Sequence, residues 1–259
     1  MRRFIRQSLF SFKSLFGYLS PKAYLLMKVL DPMLQMIYFS LLMKFVYRTN
    51  DMTPWLIGNA FILCSRNAVF GIGTSLIGER YSGTLKLIIG SPANKFKVFM
   101  SRGVFYIIDS FITVFIGLLT GYLLFDLYIP ADRMLIFIIS IFVCMFSAIA
   151  LGLCISVLGL LTRDIHLFLN TASMILFALT GAIFPLERLP LFLSKISYML
   201  PITRSIESAR LIASGGDYGR IFSLMGGEML LGVIFVVLGY TTLNIVEKIA
   251  IKKATLDIY

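Results

Sequence analysis

Residues 134–161 read MLIFIISIFVCMFSAIALGLCISVLGLL, 28 consecutive positions without a charged side chain. As a helix rising 1.5 Å per residue this run extends about 42 Å, more than the roughly 30 Å of hydrocarbon in a bilayer. It is too long and too uniform for a barrel strand, which alternates over about ten residues. A membrane-crossing helix is the reading, and it decides the solvent in which the rest of the chain must fold.

Five further stretches read the same way, 24–46, 55–78, 103–125, 167–184 and 223–245, so the fold class is all-α, a polytopic membrane protein with six transmembrane helices in a single domain, 1–259. Composition agrees: 58% of the 259 residues are hydrophobic and 14% charged, against about 45–50% and 25% in soluble domains. That excludes a soluble enzyme, a disordered chain and a collagen-like fibre. The balance of 24 Lys+Arg over 13 Asp+Glu, net +11, would point to nucleic acid in a soluble protein. In a membrane protein the positive-inside bias and anionic headgroups account for it, and no nucleic-acid partner is expected. With both termini inside, fifteen of the 24 cations fall on inside segments and eight on outside ones, with Arg66 left in a span. Both termini are therefore expected in the cytoplasm. Cys64, Cys144 and Cys154 sit in apolar runs with no metal spacing and read as small packing side chains. Arg2, Arg3, Arg6 and Lys13 interrupt any signal-peptide core.

Four segments outside the spans carry information. In 4–19, Ile5, Leu9, Phe12, Phe16 and Leu19 recur at helical spacing opposite Arg6 and Lys13, the pattern of an interfacial amphipathic helix. Ser20-Pro21 ends it, and Asp31-Pro32 reads as a fresh helix start. After span two, Glu79-Arg80-Tyr81-Ser82-Gly83-Thr84 leads to a short helix with Leu85, Ile88 and Ile89 on one face. Gly90 closes that helix, and Ser91-Pro92 caps the next. This is a docking element for a soluble partner, or a structured loop on headgroups. After span five, prolines at 185, 190 and 201 and Gly215-Gly216 bracket two short helices within 185–214. Ile202, Ile206, Ala209 and Ala213 share a face there, with Arg204, Glu207 and Arg210 as i,i+3 pairs opposite. Such helices are expected to be external and re-entrant. Lys248, Lys252 and Lys253 form a basic anchor after span six.

Catalytic constellations are sparse. His166 has no second histidine or cysteine for a metal and no nucleophile elbow to serve. Gly73 and Gly78 have phosphate-loop spacing, but Glu79-Arg80 replace the Lys and Ser/Thr, so no ATPase site is expected on this chain. Charges inside spans default to function because they are costly in lipid: Arg66, Asp109 and Glu228. Pairing of Arg66 with Asp109 across adjacent helices is the first reading, and a polar cavity shared between subunits the second. Lys28 and Lys44 are placed to snorkel to an interface. Gly117-x-x-x-Gly121 and Ala148-x-x-x-Gly152 permit close helix approach.

Two blocks carry a resemblance. The first is Glu79, Arg80, Gly83, Thr84, Leu85, Ser91 and Pro92; the second is Gly181, Phe184, Pro185, Leu189, Pro190, Pro201 and Arg210. With the amphipathic N-terminus and six spans, the chain resembles the permease subunit of type-2 ABC transporters, the drug, lipid and polysaccharide exporter group. The resemblance implies that residues 84–91, with Leu85 and Ile88, are a coupling helix seated in a separate ABC ATPase subunit, which binds ATP and Mg; this chain would carry no cofactor. It implies a second permease copy or a homologous permease, a path lined mainly by spans one, two and five, and an external gate at 185–214 with Phe184, Pro185, Leu189, Pro190, Pro201 and Arg210. The cell (cytoplasmic, inner) membrane is the implied location. Polysaccharide exporters of the group are usually Trp-rich at the start of span one. This chain has one, Trp55, so the cargo reading favours an amphipathic small molecule, lipid or peptide over a glycan. The alternative is a non-transporting scaffold or sensor using the same fold. An ATP-independent carrier is disfavoured because no inverted pair of broken helices is visible.

Overall fold

The computed structural model describes residues 21–49, 51–81, 83–84, 87, 95–159 and 165–253. The amphipathic segment 4–19 and most of the 84–91 helix lie outside those residues. Among these described residues, eight α-helices follow in order: α1 Pro21–Tyr47, α2 Thr53–Tyr81, α3 Lys95–Phe125, α4 Met134–Gly159, α5 Ile165–Leu179, α6 Leu191–Ser197, α7 Thr203–Ala213 and α8 Tyr218–Lys253. Single 3₁₀ turns at Ala131–Arg133 and Leu186–Arg188 precede α4 and α6. The described residues contain no strand.

Helix starts and stops follow local chemistry. The Asp51 carboxylate accepts the Thr53 N–H at 3.0 Å ahead of α2, and Asp217 accepts the Arg220 N–H at 3.0 Å, capping α8. At the end of α7, Gly215 takes φ +78. Its N–H reaches the Ile212 carbonyl while that of Gly216 reaches Leu211, a Schellman closure. Within the helices, Ser40, Ser140, Ser156 and Thr120 donate to carbonyls one turn back, which satisfies hydroxyls where water is scarce.

Among the described residues, five helices are long and apolar enough to cross a membrane: Tyr24–Tyr47, Thr53–Ser75, Tyr106–Phe125, Ala131–Leu158 and Tyr218–Val246. The expected fifth span, 167–184, is not one helix. Helix α5 stops at Leu179 after 15 residues, about 22 Å. The chain then bends through Thr180–Phe184, with Gly181 at φ +79. Asp31-Pro32 does not begin a helix; α1 starts at Pro21 and runs through Pro32. Pro32 only removes the N–H that would have met the Lys28 carbonyl, and it is buried against the bundle.

Helix α2 is the hub, packing against α1, α3, α4, α5 and α7, while α8 lies along α4 and α7. Of its apolar window 83% is buried, against 18% for α1 and 22% for α8. Gly152 lets α4 touch α2 at the backbone: a Cβ there would lie 2.9 Å from the Val69 Cα. Phe61 of α2 and Phe137 of α4 meet edge-on, centroids 6.0 Å apart, within the core. Cys64 and Cys144 are buried in this contact region and Cys154 is half-buried, all as free thiols.

Candidate functional site

Three groups of residues carry the site expectations. The first is the turn leaving α2. Thr84 donates its hydroxyl to the Glu79 carbonyl at 3.3 Å and also to the Glu79 carboxylate. Gly83 lies at φ +69, the left-handed conformation that glycine adopts past a helix end. Arg80 belongs to the last turn of α2, and Leu87 is exposed. Leu85, Ile88, Ser91 and Pro92 lie outside the described residues.

The second group is the 180–214 segment. Arg210 does not face outward in an i,i+3 pair with Glu207, as its spacing had implied. Its guanidinium turns into the bundle, donating through Nε to the Pro54 carbonyl at 2.9 Å and through Nη2 to the Ala182 carbonyl at 3.0 Å. The Pro54 carbonyl lies in the first turn of α2 and the Ala182 carbonyl in the bend after α5. Gly58 makes room for this clasp, since a Cβ there would stand 2.5 Å from the Ala182 oxygen. Burial lowers the Arg210 pKa to about 10, so the cation persists at neutral pH. Glu207 instead accepts from Tyr198 Oη at 2.9 Å and from Arg220 Nη2 at 2.8 Å, and Arg204 lies over the Tyr198 ring. Burial, then the bond to Glu207, raises the Tyr198 pKa. Pro190 precedes α6, Leu189 is half-buried, Pro201 is buried and Phe184 is exposed beside Pro185.

Glu228 is the residue whose role the sequence hid. It is fully buried on α8, and its Oε1 accepts the Ile202 N–H at 2.6 Å. Ile202 opens α7 at φ 84, where a β-branched residue is strained by roughly 1–3 kcal/mol. A carboxylate from another helix thus holds the N-terminus of α7 in place. The isolated charge of Glu228 in an apolar span was a signal; its partner, 26 positions away, was not legible.

The third group is intramembrane. The expected Arg66–Asp109 pair does not form. Asp109 binds Lys28 Nζ at 2.5 Å and Tyr24 Oη at 2.8 Å, so Lys28 turns inward rather than snorkelling. Arg66 reaches Asp31 at 3.3 Å on the exposed face of α1 and α2. The reason is helical register: Asp109 on α3 faces the inner side of α1, whereas Arg66 points to the groove between α1, α2 and α5. Beside it, Asn67 donates to the Thr113 hydroxyl at 2.7 Å. Cavities of about 460 and 580 Å³ flank Arg66 and share Ser173 and Phe177 as lining.

The family model described as ABC-2 type transporter matches residues 10–213. The chain belongs to the ABC-2 type transporter family. It is a permease subunit, a transmembrane transport component of a kind that is not itself the ATPase. No match was found among curated proteins. The ABC-2 match spans both motif blocks, 79–92 and 181–210, together with α1 to α7. In this ABC-2 permease the basic residues in and just after the second block serve the fold first: Arg210 clasps two carbonyls, Arg188 lies over the Tyr47 ring, and Arg220 of α8 pairs with Glu207.

Proposed function

We propose that this permease is one membrane-spanning half of an ATP-driven exporter that moves an amphipathic small molecule, lipid or peptide out of the cytoplasm. The observation that carries the reading is the ABC-2 match across residues 10–213. Separate ABC ATPase subunits, holding ATP and Mg, dock on the 84–91 helix, and a second permease copy or a homologous one completes the path. Both termini lie on the cytoplasmic side of the cell membrane.

Six crossings are part of the proposal. Irregular backbone is tolerated at membrane depth where protein satisfies it, and the Ala182 carbonyl has Arg210 for that purpose. Helix α5 followed by the buried bend at Thr180–Ile183 then makes the sixth passage. On this topology α6 and α7 lie at the external mouth as the gate, held by Arg210 and Glu228. Nucleotide binding shifts the equilibrium between two arrangements of the halves through contacts that the 84–91 helix makes differently in each.

The test is co-expression with candidate ABC ATPases, co-purification, and ATP-dependent accumulation of labelled amphiphiles in inverted vesicles. Replacing Leu85 and Ile88 by Asp is expected to abolish co-purification while leaving the permease folded. An intact complex in that variant removes the coupling-helix assignment. ATP turnover without movement of any amphiphile favours a scaffold or sensor instead.

A further inference from the structure

Two ion pairs hang from α1 three residues apart, and they are built for different purposes. Lys28 and Asp109 are closed: the contact is 2.5 Å, Tyr24 adds a second hydrogen bond, and the side chains are 15% and 9% exposed. Asp31 and Arg66 are open: one contact of 3.3 Å joins them, with side chains 63% and 43% exposed. A guanidinium has five N–H donors, and the bond to Asp31 is the one hydrogen bond it makes among the described residues. Both members of this pair lie within apolar helices long enough to span a membrane, where an ion pair turned to lipid costs several kcal/mol. A groove explains them better than lipid does. The cavities of about 460 and 580 Å³ meet at Arg66, one bounded by Leu34, Tyr38 and Phe39, the other by Asn67 and Asn170. Ser173 stands where they meet, with a buried hydroxyl that has no partner.

We infer that this groove selects amphiphiles whose head carries both an ammonium and an acidic group, an inference that rests on the export reading above. The acidic group sits on Arg66, the ammonium on Asp31, and the tail lies along Tyr38, Phe39 and Phe177. Charge complementarity decides the class. A purely anionic head placed on Arg66 is repelled by Asp31 3.3 Å away, and a purely cationic head on Asp31 is repelled by Arg66. A zwitterion meets both with opposite sign, and inserting it between the two exchanges one weak pair for two without leaving a charge unpaired.

The test measures binding by fluorescence anisotropy to the full chain in non-ionic dodecyl maltoside micelles, without ATP. The tail-labelled probes are lysophosphatidylethanolamine, lysophosphatidic acid, a long-chain alkyltrimethylammonium and an apolar tetrapeptide with free termini. A zwitterionic probe, lysolipid or peptide, is expected to bind about tenfold tighter than either singly charged one, and whichever zwitterion wins names the source. Arg66→Gln weakens the three probes that carry an acidic group. Asp31→Asn weakens the zwitterions and strengthens lysophosphatidic acid, a divergence that a folding defect does not produce. The swap Arg66→Asp with Asp31→Arg restores the zwitterion preference. Equal binding of all heads, or a preference that survives both single variants, overturns the inference. Failure of ATP-driven movement in vesicles strikes the export reading instead, because head-group selectivity is read here without it.

Discussion

The Arg210 side chain shows how one residue joins distant parts of the chain. Its two carbonyl partners lie 156 and 28 positions away, one in the first turn of α2 and the other in the non-helical bend after α5. Arg210→Met is expected to destabilise the permease by about 3 kcal/mol, since two buried acceptors lose a charge-assisted donor. Arg210→Lys recovers only part, because one ammonium lacks the fork that spans both oxygens; thermal melting in detergent checks the order. At the closed pair, Asp109→Asn leaves the buried Lys28 cation short of its counter-charge and is expected to cost about 3 kcal/mol. The joint change Lys28→Met with Asp109→Leu is expected to restore most of it. For Glu228, Gln keeps an acceptor for the Ile202 N–H and is expected to melt within about 1 kcal/mol of the wild type, while Leu removes it and costs about 2 kcal/mol. Sequence marked Asp109 and Glu228 because charges in apolar stretches are rare, and Arg210 through the second motif block. It did not give their partners, because register between helices is a property of packing rather than of spacing.

At the scale of elements, the apolar runs located the helices well and their ends less well. Helix α4 begins at Met134 as its charge-free run does, and Gly215-Gly216 closes α7 where it was read to do so. Helix α5 is the exception. Hydrophobicity continues to Phe184, yet the helix ends at Leu179 because Gly181 takes a left-handed turn and Arg210 rewards the freed Ala182 carbonyl. Asp31-Pro32 misled in the other direction, since packing of α1 against α2 and α3 outweighs one missing hydrogen bond. The contact between the start of α2 and the bend after α5 depends on Gly58. Gly58→Val is expected to force these elements apart and lower folded yield, with Gly58→Ala intermediate; size-exclusion recovery after mild heating ranks the two.

For the whole molecule, the two outer helices both show apolar faces, Leu230, Val233, Ile234 and Val237 on α8 and Leu26, Leu30, Leu34 and Leu41 on α1, but the face of α1 also carries Asp31 beside Arg66 of α2. In a background lacking the three native cysteines, Cys introduced at Leu34 is expected to react with a membrane-impermeant maleimide in opened membranes. Cys at Val237 is expected to stay protected, and equal protection of both removes the wet groove. The segment expected to seat the ATPase was legible as a motif, Glu79 to Pro92, and its opening turn at Gly83 and Thr84 bears the local chemistry that glycine and threonine imply. By itself the sequence determined the solvent, the helical class and the family, because length, apolar continuity and local motifs survive without knowledge of neighbours. Only the tertiary structure decided which charge meets which, where α5 stops, and that Glu228 holds α7, because each depends on the rotation of one helix against another, and burial energy sets that rotation over many residues at once.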